Sequence, residues 1–146
     1  MATLKKLLDS QDYIAIPLLL TGTDHFVVVA KINGVSGKFI LDTGASHTCV
    51  GLDRVEHFGL LTQQREVKAA GAGALGMETL ISKGNRIRVG DWEKSRLKIV
   101  LFDMVHVNEA LLSHSALPVD GILGADVLKR GKAVIDYGKK SLYLKK

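Results

Sequence analysis

One acidic residue of this chain lies where a carboxylate could do chemistry. Asp42 directly follows the apolar run Phe39-Ile40-Leu41 and begins the segment Asp42-Thr43-Gly44-Ala45. This order predicts an aspartate at the end of a strand, entering a tight turn made by the glycine. The carboxylate would lie against an apolar layer, and Gly44 would let another chain approach closely. Because Asp, Thr and Gly are ordinary turn residues, the tripeptide alone favours a plain β-turn.

A second segment, residues 120–126, adds information. It reads Asp-Gly-Ile-Leu-Gly-Ala-Asp, which predicts a turn, a short buried strand at Ile122-Leu123 and the start of a helix. Gly124 would allow close backbone packing beside that strand. The simplest roles for the two acids are structural. Asp120 would shape the turn, and Asp126 would cap or open the helix, whose N-terminus favours a carboxylate.

Together, an apolar run into Asp-Thr-Gly-Ala and a later apolar pair and glycine leading into a helix resemble the retropepsin-like aspartic proteases. This family includes the retroviral proteases and their bacterial and eukaryotic relatives. The resemblance covers most of the chain, residues 13–144, and includes a glycine-rich stretch at 69–76 where the family has its flap. It implies a mainly β, single-lobed fold, a closed acid-protease barrel with one or two short helices.

The resemblance also implies catalysis by two aspartates that share one proton. Two carboxylates about 3 Å apart cannot both ionise, so one acts as a base while the other stays an acid. The pair activates a water that attacks the peptide carbonyl, and it returns a proton to the departing amine. Since 146 residues with one Asp-Thr-Gly leave no room for a second lobe, we expect a homodimer with Asp42 from each protomer at the two-fold axis.

The resemblance assigns roles to individual residues. Asp42 would carry catalysis, Thr43 would lock the two active-site loops together across the dimer, and Gly44 would present its backbone to substrate. Ala45 matches the retroviral form of this loop. The tip of the flap, which closes over the peptide and excludes water, is expected at Gly71, Ala72 and Gly73. Residues expected to bind substrate or support the loop are Ser46, Ile122, Leu123 and Gly124.

Two positions depart from the retroviral pattern. Ser46 stands where retroviral enzymes have a second aspartate that contacts the substrate backbone, and Ala125 stands where they have an arginine after the glycine. These departures concern the dimer contacts and the subsites, and they leave Asp42 untouched.

Short apolar runs punctuated by glycine predict closely spaced strands from Tyr13 onward. We expect a polar tail or frayed helix over residues 1–12 and one protease-like domain over 13–146. Predicted strands are 26–32, 38–41, 48–50, 65–68, 77–83, 86–89 and 96–102, with a closing hairpin of 133–135 and 142–144. Predicted helices are 51–61 and 126–129, and 108–113 is predicted as a helical turn or a loop.

Other reactive groups follow Asp42 closely in the sequence. Ser46 and His47 are neighbours on an extended segment and point to opposite faces, so they form no serine triad. His47 and Cys49 could share a face, which leaves a cysteine protease open, although a lone Cys on an apolar strand is typical of a buried hydrophobe. The five histidines have no paired metal-ligand spacing, so we expect neither a metal nor another cofactor. Trp92 is expected to pack beside a turn.

Composition limits the partners and the location. The formal charge is +5 and the pI near 9.4, but the basic residues are scattered and aromatics are only 5%, which argues against nucleic-acid binding. The single cysteine excludes an intramolecular disulfide and fits a reducing compartment. No apolar run approaches the roughly 18 residues of a membrane span, and the start of the chain lacks the pattern of a signal peptide. We therefore expect a cytoplasmic protein.

Three functions remain open from the sequence. The leading hypothesis is a homodimeric aspartic endopeptidase that cleaves peptides or unfolded proteins. The second is a catalytically inactive module of the same fold, used for dimerisation or peptide binding, in which Asp42 is a structural hydrogen-bond acceptor. The third is a generic small β-barrel that binds a ligand.

Overall fold

The computed structural model describes residues 3–64 and 79–146 of the chain. The predicted strand at 65–68 and the predicted flap tip at Gly71, Ala72 and Gly73 lie outside these residues. The strands are β1 (Tyr13–Pro17), β2 (Leu19–Leu20), β3 (Phe26–Ile32), β4 (Val35–Leu41), β5 (Cys49–Gly51), β6 (Gln63–Gln64), β7 (Leu80–Val89), β8 (Trp92–Phe102), β9 (Gly121–Leu123), β10 (Val134–Asp136) and β11 (Ser141–Lys145). The helices are α1 (Leu4–Asp9), α2 (Val105–Ser113) and α3 (Ala125–Arg130).

Six of these strands close into a barrel. Their hydrogen-bonded order is β3-β4-β9-β5-β8-β7, and β7 returns to pair with β3, with Ile87 opposite Ile32. A separate three-stranded sheet has the order β1-β11-β10 and is antiparallel throughout. The prediction of a mainly β, closed, single-lobed barrel with short helices is confirmed.

The main core fills the barrel and extends to the three-stranded sheet. Phe39 and Ile99 are fully buried within it, and Leu142 and Leu144 of β11 belong to the same cluster. Trp92 is 1% exposed and donates its Nε1–H to the backbone oxygen of Lys145 at 3.0 Å. A buried indole needs such a partner for its N–H. The prediction that Trp92 packs beside a turn is thus confirmed, and its hydrogen bond ties the barrel to β11.

A second, smaller cluster lies on the outer face of the barrel under α2. Ile40 of β4 and Leu111 of α2 are both buried in it, and Ile122 of β9 packs against it. Side chains alternate between the two faces of a strand. Accordingly Phe39 and Leu41 belong to the barrel core, whereas Ile40 between them faces the helix.

Several predicted boundaries differ from those observed. The strand predicted at 38–41 begins at Val35, because the hairpin turns within Asn33-Gly34, with φ of 51° and 85°. A two-residue turn with positive φ at both positions matches the twist of a hairpin. Strand β7 is one strand where two were predicted, and the interruption is a bulge beside Gly84. The side chain of Asn85 is buried there and donates to the backbone oxygens of Ser82 and Leu97, which keeps the bulged strand continuous.

The helical segments also differ in extent. The helix predicted over 51–61 is a 3-10 turn at Leu52–Arg54 followed by further turns that end at Gly59, whose φ is +63°. Phe58 is fully buried here, so the segment is held by packing against the core. Helix α2 begins at Val105, earlier than predicted, and the carboxylate of Asp103 accepts the N–H of Val105 at 2.9 Å in the turn before it.

Candidate active site

Asp42 lies immediately after β4, as predicted, and its backbone is fixed from two sides. Its N–H donates to the backbone oxygen of Leu123 at 3.0 Å, which prolongs the parallel pairing of β4 with β9. Its Oδ1 accepts the N–H of Gly44 at 2.9 Å, and its backbone oxygen accepts the N–H of Ala45 at 3.3 Å. The predicted tight turn therefore exists, and it orients the carboxylate of Asp42 through Oδ1.

The loop that carries Asp42 remains open to the outside. Asp42 and Ala45 are half-buried, whereas Thr43, Gly44 and Ser46 are exposed. Among the described residues, Gly44 is the one hydrogen-bond donor to the carboxylate of Asp42. Within the described residues, Oδ2 of Asp42 accepts no hydrogen bond.

Gly124 brings the second motif against this loop. A Cβ atom at Gly124 would lie 2.7 Å from the backbone C and O of His47 and 2.9 Å from the backbone oxygen of Ala45. The N–H of Ala125 donates to that same oxygen of Ala45 at 2.7 Å. Only a residue without a side chain allows these two backbones to approach so closely. The structure therefore brings together the two motifs that the sequence singled out.

A buried hydrogen-bond network joins the same two segments. Thr48 is 0% exposed, and its hydroxyl donates to Oδ1 of Asp126 at 2.8 Å while accepting the N–H of Gly124 at 3.1 Å. The N–H of Thr48 lies 3.0 Å from both carboxylate oxygens of Asp126. Asp126 also accepts the N–H of Val127, as expected for an acid at the start of a helix. Its bonds to Thr48, however, were not predicted, and no local sequence signal links residues 78 positions apart.

Asp120 lies away from Asp42, next to Lys38 of β4 and directly before β9. Its carboxylate accepts the N–H of Lys38 at 2.9 Å and pairs with Nε of Arg54 at 2.7 Å. It therefore joins β4, β9 and the 3-10 turn, which is more than the turn-shaping role predicted for it. Lys38 precedes Asp42 by four strand residues, or about 13 Å at roughly 3.3 Å per residue. Asp120 and Asp42 consequently share no proton within one chain.

The two other candidate residues from the sequence, Ile122 and Leu123, lie on opposite faces of the barrel sheet. Ile122 is half-buried on the outer face beside Ile40, whereas Leu123 is fully buried in the barrel core. Ile122 can thus contact a ligand at the outer face. Leu123 can act only through the backbone oxygen that binds Asp42.

Cys49 has the properties of a structural thiol. Its Sγ donates to the backbone oxygen of His47 at 3.1 Å, not to the imidazole. Burial raises the pKa of the Cys49 thiol to about 12, and the nearby charges of Asp126 and Asp42 act in the same direction. Because the thiolate is the nucleophile, a thiol with so high a pKa is unreactive near neutral pH. The cysteine-protease alternative thus lacks support in this geometry.

Neither a metal centre nor a membrane span emerges from residues 3–64 and 79–146. In these ranges no three side chains of His, Cys, Asp or Glu are placed to hold a metal ion together. No helix within them has both the length and the apolar character required to cross a bilayer.

Comparison with solved structures supports the fold assignment. The chain superimposes on a retropepsin-like aspartic protease from Rickettsia conorii with a TM-score of 0.59 and 23% identity, covering 90% of this chain and 89% of the other. It superimposes on the retroviral protease-like domain of Ddi1 from Leishmania major with a TM-score of 0.55 and 21% identity, covering 81% of this chain and 86% of the other. It superimposes on the EIAV protease in complex with the inhibitor HBY-793 with a TM-score of 0.52 and 21% identity, covering 70% of this chain and 84% of the other.

Sequence comparison identifies the family. No curated protein sequence matches the chain significantly. Residues 28–127, well over half of the chain, match the family model described as aspartyl protease. The matched range contains both the Asp42 loop and the Gly124 segment that the structure brings together. The chain therefore belongs to the aspartyl protease family and has the single-lobed retropepsin-like fold.

Proposed function

We propose that this protein is an aspartic endopeptidase that acts as a homodimer and hydrolyses peptide bonds in peptides or unfolded proteins. The observation that carries this proposal is the carboxylate of Asp42, which is half-buried and oriented by Gly44 through Oδ1. It stands on a loop of the aspartyl protease family with the Asp-Thr-Gly sequence intact.

In the proposed mechanism the carboxyl groups of two Asp42 residues, one from each protomer, share one proton. The ionised carboxylate takes a proton from a water molecule, and the oxygen of that water bonds to the peptide carbonyl carbon. At the same time the protonated carboxyl group gives its proton to the carbonyl oxygen. The C–N bond then breaks, and the departing amine receives a proton from the pair. The titration would belong to the dyad as a whole and not to either copy of Asp42.

The surface beside Asp42 supports the proposed dimer. Thr43 is exposed and borders an open cavity of about 350 Å³, whose apolar lining includes Leu128, Ala133 and Ile135. Next to it β10 forms the edge of its sheet, with hydrogen bonds to β11 on one side only within the described chain. An apolar surface and an unpaired strand edge are features that a partner subunit covers. Because Thr43 follows Asp42 directly, a second copy that docks here would lie next to the Asp42 loop.

The other site assignments remain proposals on the same basis. Thr43, Gly44 and Ala45 would form the active-site loop, and Ser46, which is exposed, and Ile122, which is half-buried, would contact substrate. Leu123 and Gly124 would support the loop from behind. The flap at Gly71, Ala72 and Gly73, the domain limits 13–146 and a cytoplasmic location also stay predictions from the sequence.

An inactive peptide-binding module is the second candidate. It is favoured by the serine at position 46 and the alanine at position 125, where the retroviral pattern has an aspartate and an arginine. In that case the bond from Gly44 to Asp42 would be purely structural.

Replacement of the acid tests the proposal. Asp42→Asn should abolish cleavage of a peptide library or an unfolded protein at mildly acidic pH while folding and dimerisation persist. Asp91→Asn is a matched control, because the side chain of Asp91 is 76% exposed and far from the loop in sequence, and it should retain activity. Undiminished cleavage by the Asp42 variant would refute the assignment. Bound peptide recovered intact from the wild-type protein would favour the inactive module.

A further inference from the structure

Basic side chains that are far apart in the sequence meet on the outer face of the barrel. Lys31 of β3 lies directly opposite Arg88 of β7, and Arg86 precedes Arg88 by two residues on the same strand. Side chains that are directly opposite, or two residues apart on one strand, share a face of the sheet. The three cations are exposed, whereas the neighbouring pair Ile32 and Ile87 is buried, so the cations face outward.

The same face continues onto β4. Lys38 is exposed and lies opposite Val29, which precedes Lys31 by two residues on β3. Val29 is 48% exposed, so an apolar side chain lies among the cations. An open cavity of about 200 Å³ lies beside Lys31 and is lined further by Gly34 and by residues of β7 and β8. The basic face is defined here by its four cations, Lys31, Lys38, Arg86 and Arg88.

Little of the charge of the basic face is neutralised within the protein. The guanidinium of Arg88 lies 3.3 Å from the carboxylate of Asp91 and 4.0 Å from that of Glu93. In the parts of the chain that the structure describes, no carboxylate lies within 4.0 Å of the charged groups of the other three cations. Like charges directly opposite each other on neighbouring strands destabilise a sheet. An anionic ligand across Lys31 and Arg88 would offset this repulsion.

The spacing and the lining of the basic face favour a polypeptide ligand. Alternate side chains of an extended chain lie about 6.6 Å apart at roughly 3.3 Å per residue, and Arg86 and Arg88 have this same spacing along β7. Proteins that bind single-stranded nucleic acid stack its bases on aromatic side chains, and no aromatic residue lines the cavity in the described part of the chain. The exposed Val29 offers a contact for an apolar side chain instead.

We propose that the basic face binds an extended acidic segment of another polypeptide chain. This interaction is additional to the proposed hydrolysis, because the basic face lies apart from the catalytic loop. Ser36, which lies opposite Lys31, precedes Asp42 by six residues, or about 20 Å at roughly 3.3 Å per residue. The basic face is thus a separate interaction surface on the same barrel.

Removal of two cations tests the proposal in a binding assay. The probe is a fluorescently labelled peptide with Glu at alternate positions and Ser between them, and its anisotropy reports binding to the intact protein. Lys31→Ala combined with Arg86→Ala should raise the Kd by about 2- to 30-fold, since each exposed ion pair is weak. Both side chains are exposed, so folding should persist. Lys6→Ala combined with Lys139→Ala is the matched control, because it removes the same charge from exposed lysines outside the basic face.

The charge and the kind of ligand are tested with the same assay. Binding should weaken as the salt concentration rises from about 0.05 M to about 0.5 M, and a peptide with Gln in place of Glu should not bind. The proposal is overturned if wild-type protein does not bind the Glu peptide, if the two double variants bind it equally, or if DNA of equal charge binds more tightly. None of these results depends on hydrolysis, so cleavage assays of Asp42→Asn test the proposed function separately.

Discussion

Removal of the Thr48 hydroxyl is the sharpest test of how the site is held. Thr48→Val keeps the shape of the side chain but deletes its bond to Asp126 and its acceptance of the Gly124 N–H, at 2.8 Å and 3.1 Å. A hydrogen bond to a charged group contributes about 1.5–3 kcal/mol, and an unsatisfied buried N–H costs about 1–3 kcal/mol. Because both partners can relax, we expect a loss of about 3 kcal/mol in the free energy of unfolding.

Urea or thermal unfolding at fixed protein concentration measures this loss, since the stability of the proposed dimer would depend on protein concentration. At roughly 2–4 °C per kcal/mol for a chain of this size, Tm should fall by about 6–12 °C. Thr62→Val is the control: Thr62 is exposed, and its replacement should change stability by less than about 0.5 kcal/mol. A loss below about 1 kcal/mol for Thr48→Val would refute the argument that this network joins the two motifs.

Two further predictions follow from the contacts around the same loop. Gly124→Ala should destabilise the protein by about 1–3 kcal/mol, because the new Cβ would lie 2.7 Å from the backbone of His47. Chemical denaturation measures this loss. Unchanged stability would show that the close approach of the two backbones is not needed. Cys49 should resist alkylation in the folded protein at pH 8 and react rapidly after unfolding, because its pKa is raised to about 12 from 9.0. Since the folded state keeps the thiol proton that the unfolded state loses, the contribution of Cys49 to stability should fall between pH 9 and 12, and equal alkylation rates in both states would contradict this.

The parts of the fold that were predicted correctly depend on local sequence. The β-branched run of β3 was predicted with the bounds that the structure shows, and Asp42 was placed correctly at the end of β4. Each of these features depends on a few adjacent residues, either through alternation of apolar side chains or through turn chemistry.

The features that were missed depend on contacts between distant residues. The bonds between Thr48 and Asp126 depend on the pairing of β9 with both β4 and β5. The cluster under α2 likewise requires the helix to pack on Ile40, and the sequence does not distinguish Ile40 from the other apolar residues of its strand. Periodicity and turn signals contain no information about which distant segments meet, so the candidate loop was predictable and its supporting network was not.

The proposal that two copies of Asp42 form the catalytic pair can be tested by the distance between their carboxyl groups in a crystal structure of the assembled protein. We predict a two-fold dimer in which these groups lie within hydrogen-bond distance, about 2.5–3.0 Å between oxygens. A dimer that holds the two carboxyl groups far apart, or a protein that cleaves peptides as a monomer, would contradict the proposed mechanism.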